Sequence, residues 1–256
     1  KDGRKITYKG EATSGEMKLD LQVVMPQNAL TETTWKLAEN ATDPISPFHV
    51  VWEADHQIQM GEILNLAIQM TPIEGMPMPQ ALRSVLQSVT FQPDGNIQAQ
   101  YKDEVTDTEW TESPKNLAMY TVDESKQQIR VFLNVSQIMA AASKANTKAG
   151  IQDVLPQLMS QLTTLLSQGI PVSYATQEDG TTAFYVDTEL ILPLLKMVAP
   201  LTENAELKAQ LIELVKANAG AMGELAAAFV SQILDNFTDI VDKTSKVQLG
   251  IKMVKA

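Results

Sequence analysis

The sequence predicts an α+β protein, with antiparallel sheet in the first half, helices concentrated in residues 134 to 243 and a terminal strand rejoining the sheet. Three observations predict it. In EMKLDLQVVM, Met17, Leu19, Leu21, Val23 and Met25 alternate with Lys18, Asp20 and Gln22, the two-residue period of a strand with one wet face. From Met222 to Val241 apolar residues recur at steps of three and one, which draws a continuous stripe down one side of a helix. In KVQLGIKMV the two-residue period returns through Val247, Leu249, Ile251 and Met253. A chain of 256 residues, 44% hydrophobic and 20% charged, can bury a core without disulfides or a metal clip. It reads as a single α+β domain over 1–256, with a subdivision into 1–133, mainly antiparallel β, and 134–256, a hairpin plus helices and the terminal strand.

Taken in order, ITYKGEA, TTWKLAEN and PFHVVWEA flank or follow the first alternating run and continue an antiparallel meander. QIQMGEILNLAIQM fits either a strand or a helix; the strand is the favoured reading, with Gly61 as a bulge. After the Pro- and Met-rich PIEGMPMP comes a short helix carrying Leu82, Val85 and Leu86, with Pro79 in its first turn. VTFQPDGNIQAQY is a hairpin in which PDGN supplies the turn, with Gly95 free to take a positive φ. LAMYTVDESKQQIRVFL is a second hairpin, and VSYAT, QEDG and TAFYV make a third.

Each of the last two hairpins runs into a helix through a short polar residue, Asn134 or Ser136 in one case and Asp187 or Thr188 in the other, as a helix N-cap requires. DVLPQLMSQLTTLLSQG places Val154, Leu155, Leu158, Met159, Leu162, Leu165 and Leu166 on one helix face, closed by Gly169. Pro193 either kinks the helix that follows Thr188 or marks its start.

Charge and composition exclude several functions. A net charge of -11 and only three arginines, Arg4, Arg83 and Arg130, oppose binding to nucleic acid, which requires clustered cations. No cysteine is present, so thiol nucleophiles, disulfides and Cys-based zinc sites are excluded. No apolar run approaches the roughly 20 residues of a transmembrane span. The opening KDGRK, in place of an initiator Met and an apolar leader, reads as a mature chain whose targeting segment or lipid anchor has been removed, which allows an extracytoplasmic location without showing it.

The residues able to do chemistry are few. His49, Glu53 and Asp55 share one face if PFHVVWEADHQ is a strand, and could bind a metal or move protons; the competing reading is a solvated face opposite Val50, Trp52 and Ala54. His56 falls on the other face. Met70, Met76 and Met78 beside Pro79 offer thioethers to a soft metal, but also fill gaps under loops. Asp235, Asp239 and Asp242 stand on one side of the long helix, as a cation site or as its wet face. Three N-x-S/T triplets begin at Asn40, Asn134 and Asn236; Asn134 is better used as a cap and Asn236 lies on a helix. No phosphate loop, GxSxG, HExxH or CxxC occurs. The sequence therefore reads as a non-enzyme that needs no cofactor.

The run LQSVTFQPDGNIQAQYKD, followed by WTESPKNLAMYTVDESKQQIRVFLNVSQIM, resembles a domain-of-unknown-function family of secreted proteins and lipoproteins of Bacteroidetes with calycin-like antiparallel sheets. The likeness covers residues 5 to about 140 and consists of a hairpin, a W-x-x-SP segment and another hairpin. It implies a cell-envelope or extracellular location and assigns no activity and no site residues.

Three functions follow as expectations. One is a secreted or envelope-anchored protein that binds an apolar or amphipathic small molecule between sheet and helices. Another is an interaction module for a glycan or envelope protein, with Trp110 or Tyr120 as contacts. The last is a metal-dependent hydrolase using His49, Glu53 and Asp55.

Overall fold

The computed structural model of the chain describes residues 5–13, 16–24, 27–39, 45–70, 72–73, 76–134, 136, 168–218 and 223–256. The helix expected over Val154–Leu166 and the triplet at Asn40 lie outside them. The architecture is α+β, a curled antiparallel half-barrel sheet with, among the described residues, five helices.

Strands β1 (Lys5–Thr13) and β2 (Glu16–Val24) pair with each other as a two-stranded sheet. The expected meander is thereby corrected. β3 (Thr33–Leu37) and β4 (Phe48–Ala54) join the main sheet through the terminal strand β14 (Thr244–Lys255). Alternation fixes which face of a strand is wet but leaves its partner open, and the partner here is some 200 residues away.

The segment after β4 is helical, which overturns the strand expected at Gly61: α1 spans Met60–Met70. Its apolar residues Met60, Ile63, Leu64 and Ala67 follow the helical period. Gly61 has a packing role, since a Cβ there would stand 3.1 Å from the Trp52 carbonyl oxygen of β4. A short β5 (Pro72–Ile73) and β6 (Met76–Pro77) pair ahead of α2 (Met78–Val85), which has Pro79 in its first turn and passes directly into β7 (Leu86–Phe91). Helix is thus present in the first half as well.

The three hairpins form as the turns dictate. β7 pairs with β8 (Ile97–Tyr101) around Gly95 at φ 87°. After the two-residue β9 (Thr111–Glu112), β10 (Ala118–Asp123) pairs with β11 (Gln128–Leu133), and β12 (Ile170–Thr176) with β13 (Thr182–Val186). The sheet order is β10-β11-β12-β13-β14-β3-β7-β8-β9, with β4 also on β14. Its two ends approach each other: Tyr120 N–H donates to the Gly95 carbonyl at 2.8 Å, and Asn96 bridges Met119.

The curl encloses an aromatic core. Trp35 meets Phe184 edge-on at 5.2 Å, Phe91 meets Tyr120 edge-on at 5.0 Å, and Tyr174 lies 6.1 Å from Phe184. Leu30, Leu37, Ile129 and Met253 complete it. Tyr120, expected as an exposed contact, is fully buried there, its hydroxyl donating to the Gln92 carbonyl at 3.0 Å. An alternating strand presents every second residue to the core, and Tyr120 has the same parity as Val122, which packs on that core.

Beyond β13, Asp187 caps α3 (Thr188–Val198), its Oδ1 accepting from the Thr188 amide at 2.7 Å. The helix begins at the cap and runs through Pro193. A 3-10 segment (Ala199–Glu203), α4 (Ala205–Asn218) and α5 (Gly223–Asp242) follow. The apolar stripe of α5 does not cross the sheet: α5 packs on α4, on the 3-10 segment and on α3, and α3 packs on β14. Lys208 pairs with Asp235, and Lys216 with Glu224 at 3.5 Å, across the α4–α5 seam. Ala227, Ile240 and Val241 are buried, whereas Leu225 is 66% and Phe229 42% exposed. Periodicity shows that one side of a helix is apolar, and a second helix covers it as well as a sheet would. At its C-terminal end α5 reaches the sheet, where Thr244 donates to the Ile240 carbonyl at 2.8 Å and accepts from Trp52 Nε1 at 2.9 Å.

Candidate functional site

Strand register sorts β4, β14 and β13 into an apolar inner face and a polar outer one. On the inner face Leu249 stands opposite Val50 on one side and Val186 on the other, and the next row is Phe48, Ile251 and Phe184. Met253, further along β14, is buried in the core, and Val247, on the other side, is fully buried where Thr188 exchanges hydrogen bonds with its backbone. Leu249 lies between them and is 36% exposed. A large aliphatic side chain in the middle of a strand paired on both sides is therefore open to water, in a row with partly exposed Val50 and Val186. Such a strip favours apolar contact and offers no charged group.

On the outer face Gly250 stands between His49 and Tyr185. A Cβ at Gly250 would fall 2.0 Å from the Phe184 carbonyl oxygen, so β13 approaches too closely for any side chain. The two flanking rings lean together over the glycine, 4.8 Å apart. Gln248 continues the network: its Nε2 donates to Asp187 Oδ1 and Oδ2 at 3.2 and 3.3 Å, which leaves Oε1 facing His49 Nε2 at 3.2 Å. With the amide so oriented, His49 Nε2 carries the hydrogen. Burial lowers the pKa of His49; Lys252 and Lys246 add to this, against the Gln248 hydrogen bond and Asp187. The site is arranged for neutral imidazole.

The structure separates the three expected metal or proton-transfer residues. His49 belongs to the Gln248 network, Glu53 reaches Lys246 at 4.0 Å, and Asp55 lies past the end of β4. Asp55 instead accompanies His56, Gln57 and Lys243 around a polar pocket of about 460 Å³. There His56 Nδ1 accepts from the Ile58 amide at 2.9 Å and Nε2 is 3.3 Å from Asp239, so both ring nitrogens are engaged. Asp239 is also 2.8 Å from Lys243, whose hydrogen bond, with His56 nearby, lowers the carboxyl pKa. Of the acidic row on α5, Asp235 pairs with Lys208 and Asp239 with His56 and Lys243. Among the described residues no group of three or more His, Asp or Glu is placed to hold a metal ion. No helix among them is long and apolar enough to cross a membrane.

No family model, curated protein or solved structure matches the chain. The geometry of its own residues is what bears on function. Met76 and Met78 are split between β6 and α2, and Met70 ends α1. Trp110 is 39% exposed, with Lys102 Nζ 4.6 Å from its ring centre. Asn236 Nδ2 donates to the Gln232 carbonyl within α5. Sequence reasoning found the alternation in β14 and β4 but not the row Val50, Leu249 and Val186, because neither strand says that it lies beside the other. The signal for the His49–Tyr185 pair was Gly250, the small residue inside an otherwise strand-forming run.

Proposed function

We propose that the protein binds an apolar or amphipathic small molecule on the inner face of its curled sheet, without catalysing a reaction. The observation that carries this reading is Leu249, open to water in the middle of an apolar face although Val247 and Met253 on the same side of β14 are buried. Binding sites for small molecules are concave and mainly apolar, and a curled sheet supplies both features. The resemblance to secreted and lipid-anchored envelope proteins is the ground for placing this activity outside the cytoplasm, and fractionation of the producing cell tests that placement.

An environment-sensitive apolar fluorophore titrated into the protein tests the binding. Wild type is expected to bind saturably, and Leu249→Arg to weaken binding at least tenfold, since burying a leucine side chain is worth about 1.5–3 kcal/mol. An unchanged melting temperature would show that the variant keeps its fold. Equal binding by both proteins would remove Leu249 from the site, and no saturable binding would end the reading.

A further inference from the structure

Resting on that reading, we infer that the ligand is a single-chain amphiphile whose alkyl chain lies across the strands rather than along them. The row Val50, Leu249 and Val186 crosses β4, β14 and β13 from one register partner to the next. Extending the β12–β13 register one residue past the Ser173–Tyr185 pair sets Val172 beside Val186. The row then meets Ile129, the partner of Val172 on β11, which is only 3% exposed. An aliphatic strip thus runs over four strands from partly exposed Val50 to partly exposed Val172 and ends at a buried residue.

Its size selects the occupant. Three strand spacings give a length of roughly 14 Å, and one side-chain row a width of roughly 7 Å. The resulting area, about 100 Å², is far below the roughly 800 Å² that each partner of a stable protein interface buries. A peptide adding as a strand would need an open edge, whereas β14 is paired on both sides at Leu249. The strip carries no charged residue, so the polar end of the ligand stays beyond it. The next row, Phe48, Ile251, Phe184 and Tyr174, borders it with bulkier side chains, which favours a narrow alkyl chain over a fused-ring molecule.

Straight-chain carboxylates of about six to about sixteen carbons, and one compact polycyclic sterol sulfate, would be competed against the bound fluorophore. Affinity is expected to rise about fourfold per methylene and then level off once the chain reaches Ile129. Val172→Lys should bring the levelling point to shorter chains while leaving the shortest unaffected. Val172→Phe, which fills the same place without a charge, should do likewise if the lysine variant does not fold. Binding of the sterol as tightly as the best chain, no dependence on chain length, or an equal loss for all chains in both Val172 variants would overturn this inference and leave apolar binding standing. Failure of every apolar compound, the fluorophore included, would instead overturn the reading it rests on.

Discussion

At Gly250 the absence of a side chain has consequences on both sides of β14. The backbone of β13 occupies the space a Cβ would need, 2.5 Å from the Tyr185 Cα and 2.0 Å from the Phe184 oxygen. Gly250→Ala is therefore expected to cost about 3 kcal/mol, as a forced overpacking against backbone, read as a drop in the urea midpoint. His49, beside the same glycine, supplies a pH test. Its folded pKa is lowered from 6.5, chiefly by burial. Above pH 6.5 the imidazole is neutral in both states and does not affect stability. As pH falls below that value the unfolded chain takes up the proton first, so stability declines until pH passes the lowered folded pKa. His49→Gln should flatten this decline, and melting temperatures of both proteins between about pH 8 and about pH 5 would show it. Identical slopes would mean that His49 is as readily protonated folded as unfolded.

Among the elements, α3 depends most visibly on one residue. Asp187 caps its first turn and anchors Gln248 of β14. Asp187→Ala is expected to lower stability by about 1–2 kcal/mol, with Asp187→Asn closer to wild type, from chemical denaturation at constant m-value. This element was legible before the structure: strand, polar cap and apolar run follow one another without a gap in AFYVDTELIL. The hairpins were legible for the same reason, since turn chemistry at Gly95 and Gly180 is local. α1 was not. An apolar segment of eleven residues satisfies either period in part, and what decides for helix is the close seat of Gly61 on Trp52, a contact made by folding. The side of α5 that is covered was likewise readable as apolar, but its cover by α4 and α3 was not.

For the whole molecule, the pairing of distant strands was hidden in the sequence, and the apolar row went with it. Val50, Leu249 and Val186 belong to three strands that only the folded sheet brings together. Closure of the curl is the matching global feature. Tyr120 N–H, donated across the gap to Gly95, is expected to exchange with deuterium as slowly as the amides of β13, because breaking it requires the two ends of the sheet to part. Exchange orders of magnitude faster than in β13 would show that the ends separate without unfolding.

The place of β14 bears on how the chain is made. β3, β4 and β13 all depend on it for a neighbour, yet Thr244–Lys255 follows every one of them in the chain. On the ribosome, hairpins such as β10–β11 and β12–β13 can form as they emerge, while three strands wait with bare edges until this segment clears the exit tunnel. Assembly of the sheet is then a late and concerted event, and the nascent chain is most open to wrong pairing, or to capture by a chaperone, just before it.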